Sequence, residues 1–145
     1  MTVNCIIDLI VIKNEKAYIV FEDEHFIAFL DHHPLFHGHT LLAPKQHFTT
    51  LYDLPAHLVP PMFLLTQKLG RAVEKAMRAE GSFIAMNNTV SQSVPHLHAH
   101  IVPRNKRDGL KGFFWPRTRY SDEFQMCEVQ EKIKEELRRF IPKSS

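Results

Sequence analysis

The clearest hydrophobic pattern in the chain lies in residues 92–104, QSVPHLHAHIVPR. Polar and apolar residues alternate through its middle, and each polar position there is a histidine. The histidines are His96, His98 and His100, and the apolar residues that follow them are Leu97, Ala99 and Ile101. Because successive side chains of a strand point to opposite faces, this alternation predicts a strand over residues 97–102. One face would contact a hydrophobic core, and the other would present three imidazoles.

Four other short β-prone runs are bounded by turn-forming residues and predict further strands. They are residues 17–21, 25–30, 40–43 and 82–87. The acidic break at 22–24 suits a hairpin between the first two. The strands lack the helix between each pair that a parallel sheet requires, so we expect them to pair antiparallel.

A long amphipathic helix is predicted from about Pro61, because the pair Pro60-Pro61 does not fit the interior of a regular helix. Apolar residues recur after this pair at intervals of three and four, and Gly81 is suited to a left-handed cap at the helix end. The apolar stripe consists of Met62, Leu65, Leu69, Ala72, Val73 and Ala76.

Two other helices are predicted near the ends of the chain. Ser121 and Asp122 are suited to cap a C-terminal helix, which Pro142 would stop. Its apolar stripe is Met126, Val129, Ile133, Leu137 and Phe140. Asn4 is suited to cap a short helix over residues 5–10, although a run this rich in isoleucine also fits a strand.

These elements predict a single α+β domain over residues 1–145. It consists of a five-stranded antiparallel sheet, one long helix, a short N-terminal helix and a C-terminal helix. With 145 residues, of which 44% are hydrophobic, the chain is long enough for one domain with a core and short for two.

Charge and cysteine content narrow the class of protein. The net charge of +2 and the absence of a long basic run argue against a nucleic-acid partner. The basic segment 104–119 is either a solvated loop or a loop that faces a polyphosphate. Cys5 and Cys127 are lone cysteines without a secretory signal, so we expect a cytoplasmic protein without disulfides. No apolar run approaches the roughly 20 residues that span a bilayer, so we expect no membrane association.

Alternating histidines serve two main chemistries, and the residues alone leave both open. Three imidazoles can bind a catalytic zinc ion, but few carboxylates lie near the triad to orient them or to act as general base. In the other chemistry a neutral imidazole attacks phosphorus and forms a phosphoramidate, which water then cleaves. That route needs no metal, and Gln92 and Ser93 are suitable donors to phosphoryl oxygens.

The motif QSVPHLHAHIVPR resembles the signature of the histidine triad (HIT) family. The resemblance extends to FEDEHFIAFLD (21–31), GHTLLAPKQH (38–47) and MNN (86–88), in the family's order. It covers a core of about residues 5–104 and leaves 105–145 as a variable tail, which is similar to that of bacterial members.

The resemblance implies roles for four histidines. His98, the middle histidine, would be the nucleophile that takes the nucleotidyl group. His96 and His100 would flank it, one orienting the nucleophile through its backbone carbonyl and the other contacting phosphate. His39 would complete the histidine cluster.

It also implies contacts to the nucleotide. Gln92 and Ser93 would hydrogen-bond the phosphates and the leaving group, Asn87 would face the α-phosphate, and Asp31 would bind the ribose hydroxyls. The apolar slot for the base would be formed by Ile7, Ile10 and Phe29.

The activity implied is cleavage at the α-phosphate of a dinucleoside polyphosphate or a nucleoside phosphoramidate, with a purine nucleotide as substrate. It would pass through a nucleotidyl-histidine, release a nucleoside monophosphate, need no cofactor and take place in a homodimer. The alternatives are a nucleotide-binding sensor with little turnover and a zinc hydrolase that uses the triad as ligands.

The other histidines are expected to be solvated surface residues, namely His25, His32, His33, His37 and His57.

Some bacterial members carry C-x-x-C near the N-terminus and hold a structural zinc. In this chain Asp8 occupies the position of the second cysteine. A carboxylate can replace a thiolate as a zinc ligand, so a structural zinc remains an expectation. The ligands would be Cys5, Asp8, His47 and His96.

Overall fold

The computed structural model describes residues 2–110 and 117–141. The chain divides into two compact units, residues 1–108 and 109–145. The first contains helices α1 (Ile6–Val11) and α2 (Val59–Met77) and the strands β1 (Ile19–Glu22), β2 (Phe26–Leu30), β3 (Thr40–Pro44), β4 (Gly81–Met86) and β5 (Ala99–Arg104). The second contains α3 (Glu123–Phe140). That the two units form one domain stays a prediction.

The five strands form one antiparallel sheet in the order β1-β2-β3-β5-β4. This confirms the predicted α+β fold with its three helices. The hairpin of β1 and β2 is also confirmed, with Phe21 paired to Ala28 and Glu22 to Ile27.

Both faces of β2 are buried, and alternate residues belong to different cores. Phe26 and Ala28 join the core that includes α2, whereas Ile27 and Phe29 join the core that includes α1. The sheet therefore separates the two helices. Leu97, Ala99 and Ile101 are fully buried in the α2 core, which confirms the hydrophobic back predicted for the histidine segment.

Helix α2 begins two residues before the predicted start. Pro60 and Pro61 lie in its first turn, where backbone N–H groups have no intrahelical acceptor and proline costs little. The predicted end at Gly81 is wrong, because Arg78 adopts the left-handed conformation at φ 52° and caps the helix. Gly81 instead begins β4.

The cap predicted for α1 is also wrong. The N-cap residue is Cys5, and Asn4 contributes its backbone N–H to the carboxylate of Asp8 at 2.8 Å. The helical alternative for this segment is confirmed over Ile6–Val11. Asp8 is thereby fixed in the first turn of α1 with its side chain fully buried.

Helix α3 begins as predicted, since the Asp122 side chain accepts a hydrogen bond from the Gln125 backbone at its N-terminus. No residue over Glu123–Phe140 is buried, and its stripe residues Ile133 and Leu137 are 62% and 48% exposed. Within residues 2–110 and 117–141, no helix has the length and apolar character needed to cross a membrane.

Gly38 forms the turn that leads into β3 and places His39 directly before the first residue of this central strand. Its φ of +96° is rarely adopted by residues with a side chain, and an added Cβ would lie 2.5 Å from Cγ of Met77. The Gly38 carbonyl accepts a hydrogen bond from the Thr40 hydroxyl at 2.9 Å. Glycine is therefore required here for both conformation and space.

We expect Gly38→Ala to lower the free energy of unfolding by about 1–2 kcal/mol, because alanine must adopt the left-handed region and displace the Met77 side chain. Urea unfolding followed by circular dichroism measures this change. Gly81→Ala is the matched control, since an added Cβ there meets nothing within 4 Å. Equal stability of the two variants would contradict the assignment.

Candidate active site

The segment that carries the three histidines becomes a regular strand only at Ala99. The predicted start at residue 97 is wrong, because the Leu97 N–H donates to the carbonyl of Phe48 at 2.6 Å and not to a neighbouring strand. Only His100 lies within β5. The simple alternation expected for a strand therefore does not hold for His96 and His98.

The ring of His98 is held by the backbone of its own segment. Its Nδ1 lies 2.6 Å from the carbonyl oxygen of His96. A carbonyl oxygen only accepts hydrogen bonds, so Nδ1 carries the proton and the neutral ring has its lone pair on Nε2. His98 is 7% exposed, so the ring is shielded from most of the solvent.

The side chain of His96 is fully buried and points away from the other two rings. Its Nε2 donates to the carbonyl oxygen of Pro44 at 2.8 Å, and its Nδ1 lies 3.2 Å from Oδ1 of Asp8. The expectation that all three imidazoles share one face is therefore wrong for His96. Its backbone carbonyl, not its ring, contacts His98.

His39 and His100 form a chain of hydrogen bonds with one consistent set of tautomers. The Leu35 backbone N–H donates to Nδ1 of His39 at 3.1 Å, so the His39 proton is on Nε2. That nitrogen lies 3.0 Å from Nδ1 of His100, which must accept. The remaining proton of a neutral His100 is then on its Nε2, and His100 is a hydrogen-bond donor at that atom.

Burial keeps both of these rings neutral at pH 7. The pKa of His100 is lowered to about 4, first by burial and then by the nearby charges of His98 and His39. The Asp31 carboxylate acts in the opposite direction. Burial also lowers the pKa of His39, against the attraction of the Asp31 carboxylate, which lies 3.7 Å from its Nε2. A positive charge is therefore disfavoured in this cluster.

His98 and His100 line a cavity of about 350 Å³, which is within the range of small-molecule sites, roughly 300–1,000 Å³. Other predicted site residues also form its wall: Ile7, Ile10, Phe29, Asp31 and Ser93. Helix α1 and strand β2 supply Ile7, Ile10 and Phe29, and the loops next to β2 and β5 supply Asp31 and Ser93.

Two predicted residues, Gln92 and Asn87, are not part of the wall that the described residues form. The Gln92 side chain instead connects two loops. It donates to the carbonyl of Thr49 at 2.6 Å and accepts from the backbone N–H of Thr89 at 3.1 Å. His39 also lies outside the wall, behind His100.

His32 and His33 are exposed, as expected, and they also belong to the cavity wall, together with Leu41 and Val94. The Asp31 carboxylate accepts the backbone N–H of His33 at 2.9 Å and stabilises a turn after β2. The Asp-His-His-Pro sequence indicates such a turn, but nothing in it indicates the direction of the two rings.

A second cluster lies on the buried side of His96. Nitrogen, oxygen and sulphur atoms of Cys5, Asp8, His47 and His96 all lie within 4.8 Å of one another. The carboxylate of Asp8 is 3.1 Å from Nδ1 of His47, and Sγ of Cys5 is 3.5 Å from Nδ1 of His96. The structure thus brings together all four predicted zinc ligands.

The protonation states in this cluster favour a cation. Burial lowers the pKa of His96, outweighing Asp8, so its Nδ1 holds a lone pair that faces the Asp8 carboxylate. Burial alone would raise the pKa of Asp8, but hydrogen bonds from the Asn4 backbone and from Cys5, followed by the charge of His47, lower it. A neutral His96 and an ionised Asp8 place two acceptors 3.2 Å apart in a buried position, and a shared proton or a metal cation between them stabilises this arrangement.

The basic segment after β5 is partly neutralised by its own neighbours. Arg104 forms an ion pair with Asp108, and the Nζ of Lys106 lies 3.9 Å from the carboxylate of Glu80. Lys111 lies outside the described residues. These contacts favour a solvated loop for the first part of the segment.

The chain is thus a small α+β protein in which His98 and the neutral His100 line a cavity. A second cluster, which contains His47 and His96, lies on the buried side of His96. The family model of the HIT domain matches residues 13–107. The chain therefore belongs to the HIT family, as the sequence motifs imply.

Similar proteins support this assignment. The SMU.412c protein of Streptococcus mutans has a TM-score of 0.86 and 30% identity, over 94% of this chain and 87% of that one. A zinc-bound histidine triad protein of Mycobacterium smegmatis has a TM-score of 0.70 and 31% identity, over 89% and 97%. The adenylylsulfatase HINT3 of Arabidopsis thaliana is 32% identical over 74% of this chain and 55% of its own length.

We expect the His100 ring to stay neutral, with the proton on Nε2, from pH 8 down to about pH 5, because its pKa is about 4. Long-range ¹H–¹⁵N correlation spectra identify the tautomer and follow the titration. The folded pKa lies below the ordinary 6.5. The stability due to neutral His100 is therefore complete above about pH 6.5 and lost as the pH falls toward 4.

Urea unfolding of His100→Asn should accordingly show a smaller loss of stability between pH 7 and pH 4.5 than the wild-type protein. A titration midpoint of His100 near 6.5, or a proton on its Nδ1, would contradict the hydrogen-bond chain from Leu35.

Proposed function

We propose that the protein is a nucleotide hydrolase or transferase that cleaves at the α-phosphate through a nucleotidyl group on His98. The observation that carries this proposal is the hydrogen bond from Nδ1 of His98 to the His96 carbonyl at 2.6 Å, in a ring that lines a cavity. This bond leaves Nε2 with the lone pair, and a neutral imidazole with one oriented nitrogen is a nucleophile that needs no general base.

The reaction has two displacements. In the first, the Nε2 lone pair of His98 forms a bond to the α-phosphorus, and the bond to the leaving oxygen or nitrogen breaks with its electron pair. In the second, water attacks the same phosphorus, the P–N bond breaks, and the electron pair returns to Nε2. A nucleoside monophosphate is released and the histidine is regenerated.

Three neighbours suit the charge changes of these steps. His100 has a donor at Nε2 for a phosphoryl oxygen, and the low pKa of about 4 keeps this donor in one tautomer. Ser93, also in the cavity wall, has a hydroxyl that can donate a proton to the leaving group in the first displacement and regain one from the attacking water in the second. Asp31 lines the same cavity as His98, and its carboxylate would stabilise the positive charge that His98 acquires when it bonds to phosphorus.

The rest of the cavity suits a nucleoside. We assign the ribose hydroxyls to the carboxylate of Asp31 and the purine base to the apolar slot of Ile7, Ile10 and Phe29, because these residues share one wall with His98. Gln92 is a positioning residue in this proposal, since it ties the loop before Ser93 to Thr49. The role of Asn87 at the α-phosphate stays a prediction.

We expect His98→Ala to lower kcat/KM for an adenosine phosphoramidate at least about a thousandfold, because the variant lacks the nucleophile. Release of adenosine monophosphate, followed by chromatography, measures the rate. His25→Ala is the control, since that exposed histidine lies outside the cavity wall. Full activity of His98→Ala would exclude this role. Tight binding of the monophosphate without turnover of any substrate would favour the sensor alternative.

We also propose a structural zinc ion on Cys5, Asp8, His47 and His96. The converging acceptors of Asp8 and His96 support it, and the second nitrogen of His96 is oriented by the Pro44 carbonyl in the way that metal-bound histidines are usually held. When bound, the ion would link α1 to the loops before α2 and β5. His98 is not one of the four proposed zinc ligands, so the ion would take no part in the catalytic steps.

We expect the protein to bind one zinc ion per chain and to melt at a higher temperature with zinc than after chelation, because the ion binds the folded state. Elemental analysis and thermal unfolding measure both effects. Cys5→Ser and Asp8→Asn should reduce the zinc content and the rise in melting temperature with zinc. Cys127→Ser, at an exposed cysteine, should change neither. Equal zinc content in Cys5→Ser and Cys127→Ser would exclude the site.

A homodimer is the third part of the proposal. An apolar cleft of about 160 Å³ lies on the surface between α2 and the sheet, lined by Val20, Leu30, Leu69, Ala72, Ala76 and Met77. Val20, Leu30 and Met77 are exposed apolar residues at this cleft, and burial of exposed apolar surface favours association. Sedimentation equilibrium should give twice the chain mass, and a monomer at all concentrations would contradict it.

A further inference from the structure

A second cavity, of about 260 Å³, lies next to the candidate active site. We call it the outer cavity. It is lined by α1, by the segment before β1 and by the end of β2. Four residues belong to the walls of both cavities: Ile6, Ile10, Phe29 and His32. The two cavities are therefore adjacent along this shared wall.

The shared wall lies at the base end of the active-site cavity. His98, His100, Asp31 and Ser93 line the active-site cavity and are not part of the outer one. A nucleotide with its α-phosphate at His98 and its ribose at Asp31 must direct its base toward Ile10 and Phe29. The edge of the base farthest from the ribose then faces the outer cavity.

The wall of the outer cavity is mainly apolar and ends in an exposed aromatic ring. Tyr18 is 64% exposed, although its backbone is fixed by a hydrogen bond from the Leu30 N–H to its carbonyl at 3.0 Å. The Nζ of Lys16 lies 5.3 Å from the Tyr18 ring centroid. An aromatic ring on a fixed backbone provides apolar contact area at small entropic cost, which suits an apolar or aromatic ligand group.

We propose that the outer cavity extends the base slot and binds an apolar substituent on the exocyclic edge of a purine. The substrate class is therefore widened to nucleotides with a modified base. This inference rests on the proposed function, because the orientation of the nucleotide comes from the assigned positions of the phosphate and ribose.

The test compares two ligands that differ only at that edge. Isothermal titration calorimetry measures the dissociation constants of adenosine monophosphate and of N6-benzyl adenosine monophosphate on the wild-type protein. We expect the benzyl compound to bind about tenfold more tightly, which corresponds to burial of roughly 50 Å² of additional apolar surface. Equal or weaker binding of the benzyl compound would overturn the inference.

Two substitutions of tyrosine localise the effect. In Tyr18→Ala the ratio of the two dissociation constants should fall toward one, because the ring that contacts the benzyl group is removed. In Tyr52→Ala the ratio should stay at its wild-type value, since Tyr52 is 84% exposed and lies outside both cavities. If the ratio of the two dissociation constants keeps its wild-type value in Tyr18→Ala, the substituent binds elsewhere, and this result would overturn the inference.

A third variant fills the cavity instead of opening it. Ala17→Phe places an aromatic side chain in the outer cavity and should weaken binding of the benzyl compound more than that of adenosine monophosphate. If Ala17→Phe weakens the binding of both compounds equally, the result would contradict a separate binding site for the substituent in the outer cavity. Failure of unmodified adenosine monophosphate to bind the folded wild-type protein would instead overturn the proposed function, so the two failures are distinguishable.

Discussion

The site depends first on the hydrogen bond between Nδ1 of His98 and the carbonyl oxygen of His96. A neutral histidine carries its proton on either Nδ1 or Nε2, and a carbonyl acceptor at Nδ1 selects the tautomer with the proton on that atom. The lone pair is then fixed on Nε2 before any ligand binds. Because the acceptor is a backbone atom two residues away, the orientation of the nucleophile is set by the conformation of residues 96–98 and not by a side chain that can rotate.

That conformation is held in place by three sets of contacts. Leu97 is buried in the core with α2, the ring of His96 is buried against Asp8 and Pro44, and β5 begins at Ala99. Core packing and the cluster around Asp8 therefore constrain the same backbone that positions His98. In this account a bound zinc ion would act on catalysis only indirectly, by stabilising the position of the His96 carbonyl. The tautomer of His100 is fixed separately, through His39 and the Leu35 amide.

Periodicity was sufficient to predict the sheet, the long helix and the buried back of the histidine segment, because these depend on one face being apolar. It could not predict that His96 turns away from His98, since this follows from the backbone between Val94 and Ala99 and from the buried partner Asp8. The motif resemblance indicated the four candidate zinc ligands, but their convergence depends on two loops, those of His47 and His96, meeting the first turn of α1. His32 and His33 are exposed, as predicted, but no local pattern shows that their loop also contributes to a cavity wall.

The most direct test of the central claim is to trap the covalent intermediate. An adenosine phosphoramidate is mixed with the wild-type protein, the reaction is stopped within the first turnover, and peptides are analysed by mass spectrometry under conditions that preserve P–N bonds. The account predicts an adenylyl group on His98 that is absent from His98→Ala. Turnover that proceeds with no adenylylated protein in the first turnover, or with the adenylyl group on another histidine, would contradict it.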